Sequence, residues 1–173
     1  MGAVHSLARQ PKPVNCSDML LRPPDDNNLI QFAGTISRGD LIERLIIAAE
    51  FDEHDRDIGT AGLCGTFALA LYKVLEGYGI RATPTLAFIE PLPKEPMHLQ
   101  WRHALVEVDG QLFDIDGRVE SAHVLENYCW MSQIRGFHRA RIGPFTALIK
   151  GNRNAFDPAW LSYWTERLRS AVT

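Results

Sequence analysis

The chain is short of cysteine. Cys16, Cys64 and Cys129 are the only three in 173 residues. No two of them stand in a CxxC or CxxxC spacing, which argues against a structural zinc site or a disulfide framework. Such thiol usage suits a reducing, cytoplasmic compartment. Excess charge is also missing: 18 Lys and Arg against 21 Asp and Glu leave a net charge of −3. That balance provides no electrostatic footprint for nucleic acid or an anionic membrane. No apolar run reaches transmembrane length, and the N-terminus lacks the apolar core of a signal peptide. What is present is the makeup of a globular domain, 46% hydrophobic and 23% charged, long enough to bury a core without staples.

Residues 1–28 carry Pro11, Pro13, Pro23 and Pro24 among polar residues and read as a weakly ordered N-terminal arm. The opening MGAVHS matches M-G-x-x-x-[ST], so Gly2 is a myristoylation acceptor in a eukaryotic host, or the match is chance. Residues 29–173 read as one domain. Ser37 is an N-cap for a helix striped by Leu41, Leu45 and Ala48. The acidic run DEHDRDIG, 52–59, reads as a solvated loop without the ligand order of a calcium site. A second helix is expected over about Leu63–Glu76, with Leu63, Phe67, Leu71 and Val74 on its apolar stripe and Cys64 in its first turn.

Three strand-like runs follow: IRATPTLAFIE, where Pro84 suggests an edge or irregular position, then LQWRHALVEV and QLFDIDG. A helix is expected around Ser121–Ser132, and ARIGPFTALIK is read as a further strand. Asp157 and Pro158 start a last helix whose apolar face is Trp160, Leu161, Trp164 and Leu168. Helices, then an antiparallel sheet, then helix make an α+β pattern.

Asp109-Gly110 between two alternating runs signals a tight hairpin, so the register can be counted from the turn. Val108 then faces Gln111, Val106 faces Phe113, and, carried to its end, His103 faces Asp116. Asp114 is the rival carboxylate, as a diagonal neighbour of His103 that a bulge would bring in. A carboxylate bonded to one ring nitrogen fixes the imidazole tautomer and leaves the other nitrogen to act on a neighbour. A thiol in the first turn of a helix suits that role, because helix-end N–H groups and a nearby imidazolium both favour thiolate. On this reading Gly62 and Gly65 keep the thiol's surroundings open. The acyl-oxygen donor is the backbone N–H of Cys64, or a side chain such as Asn27, Asn28 or Gln31.

GLCGTFALALYKVLEGYGIRATPTLAFIE followed by HALVEVDGQLFDIDG resembles the catalytic core of the transglutaminase-like group of papain-like cysteine enzymes, over about 61–118. The resemblance implies a papain-like fold, with Cys64 as nucleophile, His103 as general base and acid, and Asp116 as orienting carboxylate. It implies thioester chemistry at a carboxamide or peptide bond of a protein or peptide, without cofactor or metal: a peptidase, amidase or glutamine deamidase, or amine transfer as in transglutaminases. The small chain makes hydrolysis the expected outcome. Two other classes compete. One is a non-catalytic binding module of the same fold, and the other a metal site built from His98, His103 and Asp116.

Overall fold

The computed structural model describes residues 36–89, 101–129, 134–152 and 154–172. The expected N-terminal arm, with Gly2 and Cys16, lies outside the described residues, as do Asn27, Asn28, Gln31 and His98.

Helix α1, Arg38–Ala48, starts where Ser37 accepts a hydrogen bond from the Asp40 N–H at 3.1 Å. The acidic run after it is not a loop. It forms helix α2, Glu53–Ala61, opened by a capping box: the Asp55 N–H donates to Asp52 at 2.8 Å, and the Asp52 N–H donates to Asp55 at 3.2 Å. Carboxylates in a first turn also suit the helix dipole. Asp55 is buried, and its carboxylate further accepts from Trp164 Nε1 at 3.1 Å and the Tyr163 hydroxyl at 3.3 Å. The charge that made this stretch look solvated therefore ties α2 to the C-terminal helix.

Helix α3, Cys64–Gly77, is the centre of the molecule, with residues 64–71 all buried. A helix apolar on every side needs cover on every side. Helix α5, Ile142–Gly151, and helix α6, Pro158–Ser170, supply part of it through Phe145, Ile149, Trp164 and Leu168. Phe67 meets Phe51 and Trp164 edge-on, each at 5.6 Å between ring centres. The expected strand ARIGPFTALIK is instead α5. Pro144 has no N–H for a sheet ladder but is tolerated in a helix's first turn, and Phe145 and Ile149 stand one helical turn apart.

The sheet is antiparallel, with five strands in the order β4-β3-β2-β1-β5. The strands are β1 Thr83–Ile89, β2 Trp101–Val108, β3 Gln111–Asp114, β4 Gly117–Val119 and β5 Ile134–Arg139. β1 lies between β2 and β5, so it is not an edge strand. Pro84 sits near its start, just before β5 pairing begins at Thr85. One sheet face packs Ala104, Val106, Val108 and Phe113 into the core around α3. The other gathers Ala87, Leu105 and Leu112 beneath Val124 of α4, Ser121–Cys129. The architecture is thus mixed helix and antiparallel sheet. Among the described residues no single helix is long and apolar enough to cross a membrane; α2 and α3 together pass that test only as a pair bent by 105°.

Candidate active site

The hairpin turn has the backbone its sequence demands, with φ of +50° at Asp109 and +82° at Gly110. From it the register runs as counted: Val108 opposite Gln111, Glu107 opposite Leu112, Val106 opposite Phe113. It does not continue to His103 and Asp116. β3 stops at Asp114, the chain turns over Ile115-Asp116, and Asp114 pairs with Gly117 of β4. Gly117, at φ +107°, closes this second turn in a conformation that suits glycine. Asp116 stands on the turn and pairs with Arg56 of α2, Nη1 to Oδ1 at 3.0 Å.

The carboxylate that meets the imidazole is Asp114, with Oδ2 3.0 Å from His103 Nε2. Its other oxygen, Oδ1, accepts the Asp116 N–H at 2.9 Å. The expected partner Asp116 is thereby replaced by its rival, and Asp116 contributes its backbone instead of its side chain. A second irregularity lies beside His103. Ala87 pairs with His103 but Phe88 pairs with Trp101, so β2 carries one extra residue, Arg102, in a bulge. Bulges re-aim neighbouring side chains, and alternation along a sequence does not reveal them.

Cys64 occupies the first position of α3, where the N-cap Leu63 offers no side-chain hydrogen bond. First-turn N–H groups have no acceptor within their own helix and bias this end toward negative charge. Thr66 anchors this turn: its hydroxyl donates to the Ala155 carbonyl at 2.9 Å and accepts from the Asp157 N–H at 3.1 Å. Gly65 does not open the site. A Cβ there would stand 2.7 Å from Ile149 Cγ2 and 3.3 Å from the Ala155 carbonyl oxygen, so glycine lets α5 pack against the first turn of α3. Gly65→Ala is accordingly expected to destabilise the fold by about 1–3 kcal/mol through overpacking, read by urea denaturation.

Burial pulls the His103 pKa down, but the hydrogen bond to Asp114 and the electrostatic influence of Cys64 and Asp114 outweigh it, leaving it pushed up to about 9. Thiol, ring and carboxylate thus interact as a unit. The unit is enclosed: Cys64 is 4% exposed, His103 0% and Asp114 4%. Trp101 is buried two residues before His103, and its indole N–H has no acceptor among the described residues. The side chain of Cys129 lies outside what is described. Among the described residues no group of three His, Cys, Asp or Glu is arranged to hold a metal ion.

Arg56 and Thr66 are the site-supporting residues that sequence reasoning misses. The D-x-x-D spacing of Asp52 and Asp55 was the available signal that Arg56 lies on a helix. Comparison with family models, curated proteins and solved structures gave no match.

Proposed function

We propose that the chain is a cysteine acyl-transfer enzyme of papain-like, transglutaminase-like fold acting on a carboxamide or peptide bond of a protein or peptide. The observation that carries this reading is the position of His103, bonded to Asp114 at 3.0 Å through Nε2 and interacting with a thiol at a helix start. With Nε2 engaged by Asp114, Nδ1 is the nitrogen assigned to exchange a proton with sulfur. Cys64 Sγ attacks the carbonyl carbon, and the carbonyl π electrons move onto oxygen, which the Cys64 N–H stabilises. As the C–N bond breaks, imidazolium gives its proton to the departing amine, leaving a thioester and neutral His103. His103 then takes a proton from water, whose oxygen displaces sulfur, and the acid and thiol are restored. An amine in place of water gives transglutamination.

The test is alkylation of Cys64 by iodoacetamide at pH 6, located by peptide mass spectrometry. An ordinary thiol is less than about 1% ionised there and reacts slowly. Rapid loss of one thiol at Cys64 supports the enzyme reading. A second reading, a binding module that keeps the trio as a structural element, is favoured by the burial of all three side chains. Its outcome is a Cys64 that resists the reagent until the protein is unfolded.

A further inference from the structure

We infer that Arg56 is a positioning residue for His103, acting across the Ile115-Asp116 peptide group; the inference rests on the reading of His103 as the proton carrier. Arg56 projects from α2, and Nε donates to the Phe51 carbonyl at 3.3 Å. Nη1 donates to the Ile115 carbonyl at 3.1 Å and to Asp116 Oδ1 at 3.0 Å. The Ile115 carbonyl and the Asp116 N–H belong to one planar peptide unit, pointing in opposite directions. Holding the carbonyl with a cation therefore fixes where the N–H points, which is at Asp114 Oδ1, 2.9 Å away. Asp114 Oδ2 in turn holds His103 Nε2 at 3.0 Å. The guanidinium also polarises the peptide and strengthens the N–H as a donor, the cooperative effect of a hydrogen-bond chain.

Two further contacts brace this turn. A Cβ on Gly59 of α2 would lie 2.7 Å from Ile115 Cδ1, so helix and turn are in close register. Beyond the turn, Arg118 joins Asp40 and Glu43 of α1. The Arg56–Asp116 ion pair itself is 35% and 50% exposed, a setting in which ion pairs add little to stability. What Arg56 supplies is direction: Nη1 contacts carbonyl and carboxylate together, and the Nε bond to the Phe51 carbonyl holds the planar guanidinium in that orientation.

The experiment is NMR titration of the His103 ring in the wild type, Arg56→Gln and Arg56→Lys, with the pH 6 alkylation rate of Cys64 alongside. The sign of the change separates positioning from simple charge. Removing a cation would by Coulomb's law ease protonation of the ring and raise its pKa. Loss of carboxylate alignment lowers it. Arg56→Gln is expected to lower the His103 pKa by about one unit, a tenfold change in proton affinity. Where wild-type Cys64 is reactive, alkylation is expected to slow by about tenfold or more, since small misplacements in a site cost up to about a hundredfold. Arg56→Lys keeps the charge but loses the Nε bond to the Phe51 carbonyl that orients it, and is expected to fall between. A His103 pKa unchanged or raised in both variants overturns the inference. Should Arg56→Gln fail to fold, Arg56→Lys decides by the same criterion. An unreactive wild-type Cys64 with a shifted His103 titration would retain the positioning role while removing the enzyme reading.

Discussion

Asp114→Asn is expected to lower acyl transfer by about ten-thousandfold, the loss that follows when a triad imidazole is held in the wrong tautomer. Asp116→Asn is expected to leave the rate within about tenfold. The contrast comes from the Asp116 N–H, which donates to Asp114 Oδ1. An asparagine at 114 would turn its amide oxygen toward that N–H and its NH2 group toward His103 Nε2. Nε2 would then have to accept, placing the ring proton on Nδ1, the nitrogen needed to take a proton from sulfur. Asparagine at 116 keeps the backbone N–H, and its amide oxygen still accepts from Arg56. Rates on a glutaminyl-peptide or anilide reporter would measure the difference. Equal losses in the two variants, or a larger loss at 116, would remove Asp114 from the orienting role.

Those two positions also mark how far the sequence is legible. Asp109-Gly110 fixes the hairpin because both turn residues take positive φ, and alternation carries the register to Val106 and Phe113. Beyond that, counting assumes an uninterrupted ladder. The second turn at Ile115-Asp116 breaks it: β2–β3 pairing ends at Val106 and Phe113, and the carboxylate that meets His103 is 114, not 116. Gly117 was the local sign of the turn. Cys64 at a helix start was legible because Gly62 and the stripe from Leu63 to Val74 mark the boundary. The α2 helix was hidden by its charge: Asp55 looks solvated until Trp164 and Tyr163 are seen to donate to it, and those partners lie more than a hundred residues along the chain. Gly65 reads as openness in sequence, whereas only the packed structure reveals Ile149 against it.

Acyl transfer is expected to fall as pH rises through about 9, while alkylation of Cys64 does not. Both reactions need thiolate, so both lose rate on the acid side as sulfur gains a proton. Only acyl transfer also needs a proton on His103 for the departing amine, and that proton is held up to about pH 9. Stability should share this alkaline dependence. The folded pKa lies above the ordinary histidine value of 6.5, so the contribution is complete below about 6.5, declines above it, and is lost once pH passes about 9. Cys64→Ala removes the sulfur's electrostatic influence on the ring. It is expected to abolish transfer, lower the His103 titration and flatten part of the stability decline between about pH 7 and 9. Activity profiles, alkylation profiles and urea midpoints across that range separate the possibilities. An acyl-transfer rate that stays level beyond pH 10 would show that His103 is not the proton donor to the leaving group.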